Sequence, residues 1–393
     1  MTLLINSPAV QPGTHVLAVG VGTYTHLPGG AGPVADRPLG LRQLASPPVS
    51  LKAVVDWFLA PVLDLAAPGF VNPLVPLGSV EALASAEAPV AITTATGEVS
   101  LAQASRQNIQ QAFEDWLGRV QSHPENIGVF YFCGHGLMAE NHFLLADDFG
   151  QSRAMPWANA FDITATIRAV ERKAAGAIYY FIDACRDISR DMAMTLGADP
   201  HALMAVELDN KVIGRSITAV YAAGEGQLAH APPGPQVSRF TRALLGALSG
   251  YCGIKGPGQT SWGVDGETIA VAIRQLLVYD ALDNPGGPGD QQVSEQTISG
   301  TPIPLMWNTQ VPRVKVLLDL APTQRRAAYE LYLESAAGDR VAQKQLNSVF
   351  KADVPRGFYE VGALDPLGNF PAIQHHEQEL MPPMFPLVLQ SRP

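Results

Sequence analysis

The sequence predicts an α/β protein, in which a mostly parallel sheet carries helices on both faces and a small β-sandwich-like domain follows. Four apolar runs have the β-branched and aromatic composition of buried strands, and segments with helical periodicity lie between them. Alternation of this kind indicates parallel strands joined by covering helices. The predicted strands are 15–22, 127–133, 177–182 and 216–223.

Three segments have the spacing of helices. Apolar residues recur at intervals of three and four in 50–59, which predicts a helix with Ser50 as its N-cap. A second helix is predicted over 108–120 and a third over about 164–173. The side chains predicted to face inward from the second helix are Ile109, Ala112, Phe113, Trp116 and Leu117.

The pattern changes after about Pro312, where short apolar runs alternate with turns. These runs predict a small β-rich domain over 311–393, and residues 1–310 then form the larger domain. A stretch rich in glycine and proline, 284–290, is a linker candidate. The predicted strands of the small domain are 314–318, 329–333, 358–364 and 385–389.

Composition restricts the class of protein. With 47% hydrophobic and 16% charged residues, the 393-residue chain is predicted to be globular. The net charge of −10 argues against a nucleic-acid partner. Three cysteines cannot build a disulfide framework and indicate a reducing compartment. Neither a secretory signal nor an apolar run long enough for a membrane span is visible, so a cytoplasmic location without a membrane partner is expected.

Two residues that can support nucleophilic chemistry occupy equivalent places. His135 lies between two glycines just after the run 127–133, and Cys185 follows the run 177–182. The 50 residues between them are enough for a helix and a crossover, so their strands are expected to be neighbours in the sheet. A thiolate is a nucleophile, and an imidazole can supply the proton that a departing amine needs.

Each of these residues also has an ordinary structural interpretation. A cysteine at the end of a buried strand is most often a small core residue, and Gly-His-Gly is compatible with a plain turn. Cys133 and His135 have the Cys-x-His spacing of a metal-ligand pair, but no second pair has zinc-ligand spacing, so no metal site is predicted. The combination of His135 with Cys185 is what favours catalysis.

On these residues the chain resembles the caspase-like cysteine peptidases, in their bacterial caspase- and metacaspase-like branch. The motifs are Val129-Phe-Tyr-Phe-Cys-Gly-His-Gly136 and Tyr180-Phe-Ile-Asp-Ala-Cys-Arg186, and Phe240-Thr-Arg-Ala-Leu-Leu245 is similar to a helix of the family's small-subunit half. The resemblance extends over about residues 14–308. It implies a caspase-like peptidase domain at 1–310, with a large-subunit-like half to about 190 and a small-subunit-like half from about 215.

The resemblance implies that Cys185 and His135 form a catalytic dyad, with one departure just before the cysteine. Caspases have Gln-Ala-Cys at this point, whereas this chain has Asp183 in place of the glutamine. In metacaspase-like relatives an aspartate there pairs with a basic substrate residue, so cleavage after Arg or Lys is implied. A turn-capping carboxylate is the other interpretation of Asp183.

Further parts of a peptidase site follow from the same resemblance. The backbone N–H groups of Gly136 and Cys185 would bind the oxyanion of the tetrahedral intermediate. Three more carboxylates are candidates for substrate binding, although each is also typical of a solvated loop. They are Asp147, Asp148 and Glu225.

The resemblance also implies regulation. Self-cleavage between the two halves would use Arg190, Lys211 or Arg215. Asp187 and Asp191 are candidates for calcium ligands, although two carboxylates four residues apart are usually part of a solvated helix face. No other cofactor is expected. Some bacterial relatives act in antiphage defence or cell death and respond to small nucleotide-derived signals, which implies such an activator beside protein or peptide substrates. The alternative is an inactive caspase-like scaffold that binds a small molecule or a protein, and the oligomeric state stays open.

Overall fold

The computed structural model describes residues 2–8, 11–64, 68–173, 176–187, 200–205, 216–283, 292–344 and 348–391. Up to residue 308 the elements are, in chain order, β1 (Leu3–Asn6), β2 (Thr14–Val21), α1 (Ser46–Leu59), β3 (Leu77–Ser85), β4 (Ala91–Thr94), β5 (Gly97–Ser100), α2 (Arg106–Gln121), β6 (Ile127–Cys133), β7 (Gly136–Met138), β8 (His142–Leu145), β9 (Ala160–Asp162), α3 (Ile163–Lys173), β10 (Ala177–Asp183), β11 (Ser216–Tyr221), α4 (Arg239–Gly246), a π-turn (Ala247–Tyr251), β12 (Trp262–Val264), α5 (Gly266–Asp283), β13 (Glu295–Ser299) and β14 (Met306–Asn308).

The remaining elements are all short strands apart from one 3₁₀ turn. They are β15 (Arg313–Ala321), the 3₁₀ turn (Thr323–Ala328), β16 (Glu330–Ser335), β17 (Arg340–Lys344), β18 (Phe350–Pro355), β19 (Gly357–Leu364), β20 (Ile373–Leu380) and β21 (Met384–Gln390).

A seven-stranded sheet in the order β1-β3-β2-β6-β10-β11-β13 forms the centre of the molecule. The inner strands from β3 to β11 are parallel to one another, and the edge strands β1 and β13 are antiparallel to their neighbours. The prediction of a mostly parallel sheet is therefore confirmed.

Helices cover both faces of this sheet. Alternate side chains of one strand point to opposite faces, so Val16 and Ala18 belong to one core cluster while Leu17 and Val19 belong to the other. Helices α1, α4 and α5 pack into the first cluster, whereas α2 and α3 pack into the second. This is the two-faced α/β arrangement that the sequence predicts.

The register between β6 and β10 positions the candidate site. The two strands are direct parallel neighbours, and Cys133 at the end of β6 lies opposite Asp183 at the end of β10. The expectation that these strands are neighbours is confirmed. Their carboxyl ends are level, so the loops that carry His135 and Cys185 emerge side by side.

The predicted start of the first helix is wrong. Helix α1 begins at Ser46 rather than after Ser50, because Pro47 and Pro48 stand in its first turn, where a proline's missing N–H costs nothing. Ser50 is fully buried inside the helix, and its hydroxyl accepts a hydrogen bond from Ser238 N at 2.9 Å. By contrast, α2 begins next to a true cap, since Ser105 Oγ accepts from Asn108 N.

The C-terminal region folds into two sheets with a core of their own. One sheet has the order β18-β15-β21 and the other β17-β16-β19-β20. Side chains of both, such as Val316 and Val361, share a hydrophobic cluster that is separate from the two around the central sheet. The exact boundary between 310 and 311 stays a prediction, and the linker candidate 284–290 lies outside the described residues.

Among the described residues, no helix is both long enough and apolar enough to cross a bilayer.

Candidate functional site

A cavity of about 140 Å³ opens at the carboxyl ends of β6 and β10. Both His135 and Cys185 line it, as does Asp183. These three sequence-predicted residues are therefore brought together. The other lining residues come from the start of α1, the end of β6 and the segment before α4, and they are Leu44, Ser46, Pro47, Cys133, Gly134, Ala184, Ala229, His230, Ala231 and Ser238.

The thiol of Cys185 is half-buried and engages the backbone of Ala229. Ala229 N donates to Cys185 Sγ at 3.3 Å, and Sγ lies 3.7 Å from Ala229 O. Burial raises the pKa of this thiol, and the N–H of Ala229 acts in the opposite direction. Within the described chain, no hydrogen bond joins Cys185 to His135, and the contacts of the thiol are with the backbone of Ala229.

The imidazole of His135 is oriented from two sides. His135 Nε2 lies 2.7 Å from Arg42 O, and because a carbonyl oxygen only accepts, Nε2 carries the proton and Nδ1 is the basic nitrogen. On the other side, His135 N donates to Tyr24 Oη at 2.7 Å, and the two rings pack with centroids 4.9 Å apart. Burial lowers the pKa of His135, which favours the neutral imidazole that a general base requires.

Asp183 is a buried carboxylate with one oxygen occupied. Its Oδ2 accepts hydrogen bonds from Ser238 Oγ, from Thr241 Oγ1 at 2.7 Å and from Cys133 Sγ at 3.4 Å. None of these donors binds Oδ1, although the side chain lines the cavity. Burial raises the pKa of Asp183, whereas the hydroxyls of Ser238 and Thr241 stabilise the ionised form.

Gly136 and His142 lie against the backbone of Cys185. A Cβ at Gly136 would lie 2.7 Å from Cys185 O, so only glycine fits this close approach. His142, of which 1% is exposed, lies with Nε2 3.0 Å from Cys185 O and must donate there. Its Nδ1 is buried, with no hydrogen-bond partner among the residues that the structure describes. Burial, with the nearby Arg186 cation, lowers the pKa of His142 to about 3.

The other three carboxylates have partners elsewhere and do not line the cavity. Asp147 accepts from Ser85 Oγ at 2.6 Å. Asp148 accepts from the backbone N–H of Arg106, the first residue of α2, at 3.0 Å. Glu225 is mostly exposed, and its carboxylate lies 3.3 Å from the guanidinium of Arg186.

The residues predicted for regulation lie mostly beyond what the structure describes. Of the calcium candidates, Asp187 is described and Asp191 is not. The three cleavage candidates Arg190, Lys211 and Arg215 lie outside the described residues as well. In the described part of the chain, no group of three or more His, Cys, Asp or Glu side chains is placed to hold a metal ion.

Sequence reasoning did not identify several residues that shape this site. Ser238 is recognisable in the sequence as an N-cap, because a helix begins just after it and Thr241 follows three residues later. Its contact with Asp183 has no such signal, since the two residues lie 55 positions apart in the chain. Tyr24 and Arg42 lie between the predicted strand 15–22 and the predicted helix 50–59, where the sequence predicts no regular element. His142 has no local signal, because its partner is a backbone carbonyl 43 residues away.

Comparisons with known proteins give the family that this chain resembles. A family model described as the caspase domain matches residues 83–275. The uncharacterized protein y4kE of Sinorhizobium fredii (strain NBRC 101917 / NGR234) is 34% identical over 294 residues, which are 72% of this chain and 83% of that protein. Among solved structures, caspase-1 from Spodoptera frugiperda matches with a TM-score of 0.37 and 13% identity, covering 76% of this chain and 94% of that one.

The first prediction concerns the reactivity of the three cysteines. Cys133 and Cys252 are each only 3% exposed, so iodoacetamide should alkylate Cys185 first in the native protein. Below the raised pKa of the thiol, the rate should increase about tenfold per pH unit, because only the thiolate reacts. Peptide mass spectrometry against pH measures this, with Cys185→Ser as control. Earlier labelling of either buried cysteine would contradict the described burial.

The second prediction concerns stability in acid. His142 has a pKa of about 3 in the folded protein and about 6.5 when unfolded, so the unfolded chain binds more protons between these values. The free energy of unfolding should therefore fall as the pH drops through this window, by an amount on the order of a few kcal/mol from this residue.

Denaturant unfolding of wild type and His142→Gln between pH 7 and 4 measures that contribution. Glutamine can still donate to Cys185 O but cannot titrate, so the pH slope should be shallower in the variant, and titration of other groups cancels in the comparison. His375→Gln, on an exposed strand position, is the matched control. Equal slopes for wild type and His142→Gln would show that this histidine is not held neutral.

Proposed function

Because this chain belongs to the caspase-like peptidase family, whose members are generally cysteine peptidases, we propose that it is a cysteine endopeptidase with Cys185 as nucleophile and His135 as general acid and base. The observation that carries the proposal is the placement of both side chains in one cavity, at the level ends of adjacent parallel strands. A thiol and an imidazole at such a position are the parts that acyl transfer needs.

In the proposed reaction, His135 Nδ1 takes the proton of Cys185 as sulfur attacks the scissile carbonyl carbon. The oxyanion of the tetrahedral intermediate is bound by the N–H groups of Gly136 and Cys185, two residues whose backbones lie close together because Gly136 has no side chain. His135 then protonates the departing amine, and the C–N bond breaks to leave a thioester. Water, deprotonated by His135, hydrolyses the thioester and restores the thiol.

The contact between Cys185 and Ala229 supports a regulated enzyme. In the described arrangement the thiol is bound to the backbone of Ala229 rather than to His135. Reaction requires that the segment around Ala229 move, so that His135 and a substrate reach the sulfur. Activation by self-cleavage or by a small nucleotide-derived signal would supply such a movement, in keeping with an effector of bacterial defence or cell death that acts in the cytoplasm.

Asp183 supports a preference for basic substrates. Three donors orient its Oδ2, and its other oxygen is left to meet a guanidinium or ammonium group that enters the cavity. A cation there would also stabilise the ionised carboxylate and so oppose the effect of burial, which raises the pKa of Asp183. An acidic substrate residue would instead bring two carboxylates together, at a cost of several kcal/mol.

A second candidate function is that of an inactive caspase-like scaffold. The same Ala229 contact favours it, because the thiol has a stable partner and no hydrogen bond to the imidazole in the described residues. Such a scaffold would bind a small molecule or a protein partner without turnover.

The third prediction decides between these two candidates. Fluorogenic peptides that end in Arg or Lys should be cleaved by the 393-residue protein, either alone or after small molecules extracted from cells are added. Cys185→Ala should reduce cleavage to background, because the substitution removes the thiol that is proposed to form the acyl intermediate. Cys252→Ala is the matched control, since this cysteine is buried away from the cavity and donates to Ala247 O. Absence of any Cys185-dependent cleavage would favour the scaffold.

The fourth prediction tests the role of Asp183. In Asp183→Asn the amide oxygen can replace Oδ2, which turns the NH₂ group toward the cavity, where it repels a substrate cation. Loss of the charge pair should lower kcat/KM for Arg- and Lys-ending peptides at least about 30-fold. Asp162→Asn is the control, because this aspartate is equally buried but lies outside the cavity lining. A wild-type preference for Asp-ending peptides would reject the proposed specificity.

A further inference from the structure

The segment between β2 and α1 holds His135 although it has no regular structure of its own. Residues 22–45 contain neither helix nor strand. Two hydrogen bonds of His135 nevertheless go to this segment. Its backbone N–H donates to Tyr24 Oη near one end, and its Nε2 donates to the carbonyl of Arg42 near the other. Two points that lie 18 residues apart in an irregular loop must be held together for the imidazole to keep its orientation.

Gln43 supplies that link with all of its side-chain groups. Its Oε1 accepts from Tyr24 N at 2.6 Å, and its Nε2 lies 3.0 Å from Tyr24 O. The same Nε2 reaches Leu27 O at 3.3 Å and Pro28 O at 3.1 Å. The amide therefore pairs with Tyr24 as a strand neighbour would and ties the following turn to the end of the loop.

We propose that Gln43 is a positioning residue that sets the orientation of the His135 imidazole. Gln43 is adjacent to Arg42, whose carbonyl receives the Nε2 proton, and it clamps Tyr24, whose hydroxyl receives the backbone N–H of His135. One amide thus fixes both supports of the general base. Its role deepens the peptidase function proposed above and rests on it.

The physical reason is entropic as well as geometric. An irregular loop of this length has many conformations, and ordering its backbone costs conformational entropy. Without the clamp, Arg42 O can move away, and the imidazole is then free to place its proton on either nitrogen. A general base that is misplaced by about 1 Å can lose about a hundredfold in rate.

Two substitutions distinguish the hydrogen bonds of the Gln43 side chain from the space that it fills. Gln43→Ala removes every hydrogen bond of the side chain. Gln43→Glu keeps the shape and can still accept from Tyr24 N, but its other oxygen faces carbonyl oxygens that it cannot bind. Gln110→Ala is the matched control, because the amide of Gln110 also donates to a loop carbonyl, Leu203 O at 2.8 Å, and does not line the cavity.

The kinetic readout is the split between kcat and KM on the Arg-ending peptide. Both Gln43 variants should lower kcat about tenfold to a hundredfold and leave KM within about twofold, since a misoriented base affects chemistry more than binding. The Gln110 variant should keep wild-type kcat. Assays are run below the unfolding temperature of each protein. Wild-type kcat in both Gln43 variants would overturn the proposal.

A second readout needs no catalysis. In ¹⁵N-labelled protein the Nε2 proton of His135 should give a protected low-field resonance, assigned by its loss in His135→Gln. The resonance should persist in Gln110→Ala and vanish in both Gln43 variants. If wild type shows the resonance but no peptidase activity, the proposed function fails while the positioning role is still measured. Persistence of the resonance in both Gln43 variants, or failure of both to fold, would reject the proposal.

Discussion

The parallel register of β6 with β10 is the constraint on which the rest of the site depends. A slip of one residue would turn every side chain of a strand to the opposite face of the sheet. Buried aromatic and aliphatic residues on both faces, such as Tyr131 and Phe132, oppose such a slip. Core packing therefore determines that the loops carrying His135 and Cys185 emerge at the same level of the sheet.

Asp183 connects this sheet edge to the helices around it. Its carboxylate binds Ser238 and Thr241 at the start of α4, and Ser238 in turn donates its backbone N–H to Ser50 in α1. A buried charge is costly unless several donors satisfy it. Those donors also lie at the start of α4. Asp183, which lines the cavity, therefore belongs to one hydrogen-bond network with residues of α1 and α4.

Local patterns predicted much of this protein, and the errors have a common origin. The periodicity of α2 identified its buried face, and Phe113 and Trp116 are fully buried. Ser50 was predicted as an N-cap because serine is common at that position. The helix instead begins at Ser46, with two prolines in its first turn, and the Ser50 hydroxyl accepts a hydrogen bond from the distant backbone N–H of Ser238. Asp147 and Asp148 follow His135 closely in sequence, yet their partners at Ser85 and α2 draw both away from the cavity.

The sequence by itself determined the alternation of strands and helices, the positions of His135 and Cys185 just beyond two strand ends and the change to a β-rich C-terminal region. These features depend on periodicity and spacing, which are local properties of a chain. Only the tertiary structure decided what holds each of these two residues: Ala229 against Cys185, and Arg42 with Tyr24 around His135. Each of these contacts has a backbone atom on one side, and backbone atoms are the same in every residue, so no pattern of side chains records the contact.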